Sequence, residues 1–385
     1  MPEQMKKCHT IFSLLLLSPL LALHPLALSH AADDTPHVLV GVNYFSGWWE
    51  PLPNKWHAPS DGSDWRKKYP GRVPLLGEYN TQSTMDKEIE AAAEHGVDFF
   101  SILWYPMYGD VEPERNARYL NAGLTQFLAS PQAGRMKFMV EVCNHPPFTI
   151  KNSEQWTRCI ESLLPAFKHP SYLRVGGKSV LKIHSGHHFH VASGGDVEKQ
   201  KAMLDQLRLA VRKAGLCELF IGCGVTGGEA VGRDWPTARL YDFTNTYMDV
   251  PKLEAKPEDY PYAELAKNIR QCNAKAAHSV LPYVPFISAG WNPRPWKDPR
   301  PAFTFPTREE FAAELRQLAT DIEKYPNFGL PLPDGGRQKL FTVYAWNEFG
   351  EGGIVAPTRG EKFAKLEAIR DVFPSNNETR KSTQQ

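Results

Sequence analysis

The sequence predicts a single (β/α)8 TIM barrel with long, aromatic-rich βα loops, and three observations carry that expectation. Eight short apolar runs of strand length recur along the chain, nearly all followed by a stretch of helical periodicity. Strands alternating with helices build a parallel sheet through right-handed crossovers, and eight strands close such a sheet on itself. Polar and aromatic residues gather directly after the runs, at the end of a barrel that carries its chemistry. A doubly wound open sheet is the architectural alternative, but no G-x-G-x-x-G follows the first run, which weakens a nucleotide-binding version of it.

Residues 1–31 read as a signal peptide. Lys6 and Lys7 precede an apolar stretch over 11–28, and Ser29-His30-Ala31 resembles a small-x-small cleavage site. Pro19, His24 and Pro25 interrupt the stretch, so it would make a poor membrane-spanning helix. The expectation is export, to the periplasm or the medium, of a chain that starts near Ala32 and leaves the membrane after cleavage. The barrel is expected over residues 32–374. The remainder, 375–385, is rich in Ser, Asn, Thr and Lys and reads as a disordered tail.

The strand-like runs cover residues 38–44, 97–104, 137–143, 179–184, 218–224, 240–247, 280–288 and 340–346. Helical patterns fall at 84–94, 113–128, 153–168, 196–214, 260–277, 307–324 and 361–373. The first opens on a Ser/Thr cap and closes at Gly96. The helix expected after the fifth strand is weak, because 228–239 is short and contains Pro236. No linker, internal repeat or second domain interrupts this order.

Composition narrows the function classes. With 44 basic against 43 acidic residues, no electrostatic footprint for nucleic acid is present. Aromatics are plentiful, with 10 Trp, 14 Tyr and 20 Phe, and many of the Trp and of the 32 Pro fall in loop-like segments, a pattern suited to stacking on sugar faces or to a large core. Beyond Cys8, five cysteines remain (Cys143, Cys159, Cys217, Cys223 and Cys272), without zinc spacing, and their pairing is left open. A monomer that binds carbohydrate and needs no cofactor is expected.

The candidate chemistry lies after the last strand. Leu340 to Trp346 is a buried-strand pattern, and it breaks into Asn347-Glu348-Phe349-Gly350-Glu351-Gly352-Gly353. Two carboxylates three residues apart among glycines are costly to bury unless paired or used. Glycoside hydrolysis needs such a pair, one acid to protonate the departing oxygen and one group to help build the new bond. A purely structural role would have one glutamate cap the last helix and the other pair with Arg294 or Arg359. Candidate sugar-binding residues follow the other strands: Tyr44 and Tyr79 around the first loop, Trp104 and Tyr105, Asn144 and His145, His184, Tyr247, Trp291 and Arg294, with Asn347 beside the acids. His184, His187, His188 and His190 form a rival site, either hydrogen-bonding sugar or binding zinc with His145. A glycan-binding barrel that does not cleave is a further alternative.

The segment Ala345-Trp-Asn-Glu-Phe-Gly-Glu-Gly-Gly-Ile-Val-Ala-Pro357 resembles the C-terminal signature of glycoside hydrolase family 99 and the related WbsX-like proteins. Pro74-Leu-Leu-Gly77-Glu-Tyr79 ahead of Gly96-Val-Asp98-Phe-Phe, Tyr241 to Tyr247, and Gly290-Trp291-Asn292-Pro293-Arg294 resemble other parts of that family in the same order. The resemblance implies a (β/α)8 barrel that cleaves α-mannoside-type linkages, often endo, with retention. It implies that Glu348 deprotonates the sugar's own 2-hydroxyl to give a 1,2-anhydro sugar. Glu351 would be the acid that later activates water, with Tyr247 near the reacting carbon. The residue before the second glutamate is often larger in those hydrolases; here it is Gly350, so the chemistry transfers better than the specificity.

Overall fold

The computed structural model describes residues 37–58, 61–107, 119–216, 218–226 and 237–374. The expected signal peptide and tail, the helix expected at 228–239 in its greater part, the first half of that expected at 113–128, and Cys217 lie outside them.

Each expected strand forms: β1 (Leu39–Tyr44), β2 (Phe99–Trp104), β3 (Lys137–Val142), β4 (Lys178–Ile183), β5 (Leu219–Gly224), β6 (Phe243–Asn245), β7 in two pieces (Tyr283–Val284 and Phe286–Ser288) and β8 (Leu340–Tyr344). Neighbours in sequence pair in parallel from β1 to β6, and β1 pairs with β8 in the register Leu39↔Leu340 to Val42↔Val343. Strand β7 closes the ring around Pro285, which has no N–H to give a ladder. Its first piece pairs with β6 and its second with β8. The fold is a (β/α)8 barrel.

The helices are α1 (Gln82–Glu94), α2 (Ala122–Ala129), α3 (Ser153–Lys168), α4 (Gly186–Ala192), α5 (Val197–Lys213), α6 (Tyr262–Ala276), α7 (Arg308–Lys324) and α8 (Ala364–Val372). Side-chain caps start several of them. Thr81 accepts from Thr84 N, Asn152 from Gln155 N, Asp196 from Glu198 N and Lys199 N, and Thr307 forms a capping box with Glu310. Each cap satisfies N–H groups that the helix itself leaves open.

Some short elements were not anticipated, two of them within the βα units. A short strand, Arg174–Val175, folds back antiparallel on β4 across Gly176 and Gly177. Helix α4 carries His187, His188 and His190. Strand β6 is also shorter than the run 240–247 suggested.

The barrel interior is layered. At the bottom, Phe99, Met139, Val180, Phe243, Val284 and Leu340 fill the lumen with apolar bulk. Above them lies a polar belt. Ser101 Oγ donates to Glu141 Oε2 (3.2 Å), Lys182 Nζ sits 2.8 Å from Glu141 Oε1 and donates to Asn245 Oδ1 (2.6 Å), and Asn245 Nδ2 donates to Thr342 Oγ1 (3.1 Å). Period-2 alternation places each of these one pleat above the apolar layer. One pleat further up are Cys143, His184, Tyr247 and Tyr344, at the C-terminal end of the strands.

Candidate active site

Strand β8 leads directly into the acidic segment. Asn347–Glu348 pairs antiparallel with Gly353–Ile354, so the two glutamates ride on a small hairpin at the barrel mouth. Its turn is fixed from inside, with Glu351 N and Gly352 N both donating to Glu348 O, at 3.1 and 2.7 Å. Gly352 has φ +89°, which a side chain would resist. The turn is also tied to the loop after β7, since Asn292 N donates to Glu351 O at 2.5 Å. Gly350 is needed for another reason. The indole of Trp296 lies against its α-carbon, where a Cβ would come within 2.1 Å of Cε2. The space that a larger residue would fill beside the second glutamate is therefore taken by Trp296.

Each glutamate accepts a hydrogen bond from a phenol, half-buried in Tyr247 and fully buried in Tyr344. Tyr247 donates to Glu348 Oε1 at 2.8 Å, and Tyr344 donates to Glu351 Oε2. Arg300 Nη2 stands 3.6 Å from Glu351 Oε1. Burial raises the pKa of Glu348, and the charge of Glu351 raises it further. Burial likewise raises Glu351, while Tyr344, Arg300 and Lys55 pull it back. The phenols are pushed well above their usual range, Tyr247 by burial and Glu348, Tyr344 by burial and Glu351, so they remain donors. Two neighbouring carboxylates raised in this way favour keeping a proton on one of them, an arrangement in which one could give a proton while the other takes one.

Beside the hairpin lies the buried Glu141 with its partners. His184 Nδ1 is 2.6 Å from Glu141 Oε1, and an ionised carboxylate can only accept, so Nδ1 carries the proton and Nε2 is left for other partners. Burial alone would raise the Glu141 pKa, yet Lys182 and His184 hold it down at about 2. The His184 ring packs edge-on against Tyr247, with centroids 5.1 Å apart, which links this ion pair to Glu348. His145 packs 5.5 Å from His184 and lines a cleft of about 380 Å³ with Phe45, Trp49, Lys55, Tyr105 and Phe148. Lys55 lies over the ring of Trp296, whose indole lies against Gly350, so this cleft borders the hairpin.

The other expected sugar-binding residues are placed as follows. Asn347 is fully buried, its amide giving to and taking from the backbone of Phe45 at 2.8 Å each way, so it fastens the first loop to the hairpin. Tyr44 and Tyr79 both donate to Glu88 of α1, which also accepts from Trp346 Nε1, so both phenols are engaged by Glu88. Asn144 spends its amide on the backbone of Ser185. Trp104 is buried in the main core. Trp291 is buried under the Arg300 guanidinium, which sits 4.3 Å above its ring. Arg294 pairs with Asp259 and lines a different cleft, of about 460 Å³, with Tyr69, Arg72, Asn292 and Phe305 and with neither glutamate.

The histidine cluster does not converge. His184 serves Glu141, His188 meets Ser185 Oγ at 2.8 Å, and His190 meets Gln200 at 2.8 Å. Among the described residues, no three His, Cys, Asp or Glu side chains are grouped to hold a metal. Glu141, Lys182, Tyr344, Glu88, Lys55 and Arg300 were not among the residues expected from the sequence. Glu141 and Lys182 had a readable signal, a charge at an inward position of an otherwise apolar strand.

No protein-family model matches the sequence, and no curated protein does. Solved structures do resemble the fold. One described as a glycoside hydrolase-like protein superposes with a TM-score of 0.58 at 14% identity, over 89% of this chain and 95% of its own. The GH99 endo-alpha-mannosidase from Bacteroides thetaiotaomicron superposes with a TM-score of 0.52 at 15% identity, over 89% of this chain and 98% of its own. The family whose motifs the sequence resembles thus reappears among the structural neighbours, and what this chain shares with them is the (β/α)8 barrel.

Proposed function

We propose that the chain is a retaining glycoside hydrolase that acts on α-mannoside-like linkages of a polysaccharide or glycan after export, with Glu348 and Glu351 as its catalytic pair. One observation carries the reading. A buried and a half-buried carboxylate share a small hairpin at the C-terminal end of a barrel, each bonded to a phenol and each with a raised pKa. Burying two like charges side by side destabilises the fold, and function is the usual reason a site keeps such a pair.

In the roles that the family resemblance implies, Glu348 takes the proton of the sugar 2-hydroxyl as that oxygen attacks the anomeric carbon, and Glu351 protonates the departing glycosidic oxygen. Glu351 then takes a proton from water, whose oxygen attacks the anomeric carbon and opens the 1,2-anhydro ring, while Glu348 returns its proton to O2, with net retention. Tyr247 holds the Glu348 carboxylate in place, and Tyr344 does the same for Glu351. A second reading exchanges the roles. Arg300 favours the charged form of Glu351, and Glu348 is the more deeply buried, which favours a proton on Glu348 in the ligand-free protein. Leaving groups separate the two. An activated aryl leaving group needs no acid, so the variant lacking the acid regains its first step on such a substrate and the variant lacking the base does not. Recovery in Glu351→Gln supports the first assignment, and recovery in Glu348→Gln supports the second. Cleavage of α-mannans retained in both variants would overturn the assignment of the pair, and no cleavage of any glycan by the wild type would overturn the hydrolase reading.

A further inference from the structure

Lys55 stands on the long loop after β1. Its carbonyl accepts from two indoles, Trp65 Nε1 at 2.7 Å and Trp296 Nε1 at 3.3 Å, so its position is fixed from both sides. Its ammonium lies 5.3 Å over the Phe45 ring and 4.9 Å over the Trp296 ring. Nearby cations are spent: Arg66 on Glu50 and Asp64, Arg294 on Asp259, Arg300 on Asp298, Lys182 on Glu141. No hydrogen bond or ion pair engages the Lys55 ammonium among the described residues.

The cleft that Lys55 lines is aromatic, with Phe45, Trp49, Tyr105 and Phe148 on its walls, and no carboxylate lines it among the described residues. Its one amide, Asn54, is occupied, with Nδ2 on Glu50 O and Oδ1 on His57. Sugar hydroxyls are met by donors and acceptors alike. An ammonium only donates, and with no carboxylate at ion-pair distance from it among the described residues, an anion on the ligand would compensate its half-buried charge best. The Trp296 ring under the ammonium lies against Gly350, the residue between Phe349 and Glu351, which brings Lys55 beside the acidic hairpin.

We propose that Lys55 receives an anionic substituent of the sugar bound beside the Glu348–Glu351 hairpin, so that the substrate is an acidic glycan carrying a carboxylate, sulfate or phosphate ester. The sugar ring stacks on the aromatic walls while the anion meets the ammonium between Phe45 and Trp296. This rests on the hydrolase reading above and narrows its substrate.

The test is binding, measured by titration calorimetry on the Glu351→Gln protein with mannose, mannose 6-phosphate, mannose 6-sulfate and mannuronic acid. At least one anionic sugar should bind about tenfold tighter than mannose. That preference should weaken with added salt and vanish in Glu351→Gln/Lys55→Met, with circular dichroism confirming that the double variant is folded. The anionic sugar that binds best identifies the substituent. Equal binding of all four sugars, no binding of any anionic sugar at millimolar concentration, or a preference that survives loss of Lys55 would overturn the proposal. Cleavage of neutral mannan without preference for charge would leave the hydrolase standing and remove only the role of Lys55. A Lys55-dependent preference in a protein whose turnover survives Glu351→Gln would do the reverse.

Discussion

Gly350→Ala is the smallest change that should damage the site. A Cβ at this position would lie 2.1, 2.3 and 2.6 Å from Cε2, Cζ2 and Nε1 of Trp296. Carbon atoms in contact sit about 3.5–4.0 Å apart, so ring and turn must separate by about 1.5 Å. The ring has little room to retreat. Trp48 stacks with it at 6.1 Å between centroids, is itself fully buried and is held by its indole bond to Asn347 O. The turn must therefore move, and Glu351 moves with it. Overpacking of this kind costs about 1–3 kcal/mol. With an unfolding entropy of about 2.1 cal/mol/K per residue over roughly 340 residues, that lowers Tm by about 1–4 °C. A catalytic group displaced by about 1 Å loses up to ~100-fold in rate. Melting curves and kcat/KM should be measured for Gly350→Ala, Trp296→Ala and the double variant. Removing the ring should relieve the clash, so the double variant should be more stable than the sum of the single effects by about 1 kcal/mol or more. Wild-type melting and kcat/KM in Gly350→Ala, or strict additivity, would refute the argument.

Two further outcomes are specific. Burial raises the pKa of Glu88 from 4.5 to about 7 despite hydrogen bonds from Tyr79, Trp346 and Tyr44. The folded state then binds the extra proton between those values, so this group makes stability fall as pH rises from about 4.5 to 7, by about 3 kcal/mol. Glu88→Gln should remove that part of the slope in denaturant titrations at several pH values, and an unchanged slope would refute it. Tyr247→Phe deletes a donor that lowers the Glu348 pKa, so the pH limb of kcat/KM set by the glutamate pair should move upward, with a loss of about tenfold or more. An unmoved limb would separate Tyr247 from the pair.

The barrel was legible because its signals are local. Apolar runs of β-branched and aromatic residues separated by capped helices placed every strand, and the bounds at 97–104 and 340–346 differ from the structure by only two residues at one end. Pro285 divided the seventh strand without moving it. The acids were legible because carboxylates among glycines after a buried strand are expensive. The surroundings of the acids were harder to read, since they come together across hundreds of residues. Tyr44, Tyr79 and Asn347 read as sugar contacts from their places after strands, yet Glu88 claims both tyrosines and Phe45 claims the asparagine. Nothing in the spacing of α1 distinguishes Glu88 from a surface glutamate, except that it lies on the face shared with Met85, Ile89 and Ala92. Gly350 read as a departure from the related hydrolases; its cause, Trp296, is 54 positions earlier in the chain.

The central claim is that Glu348 and Glu351 do chemistry on a sugar. Its most direct test is turnover of α-mannans, unsubstituted, phosphorylated and sulfated, by the wild type and by Glu351→Gln, with released reducing ends counted and sugar binding followed in parallel. The account predicts that the wild type cleaves at least one of them and that Glu351→Gln loses about 1,000-fold or more in rate while still binding it. Turnover retained in Glu351→Gln, or lost only together with binding, would contradict it.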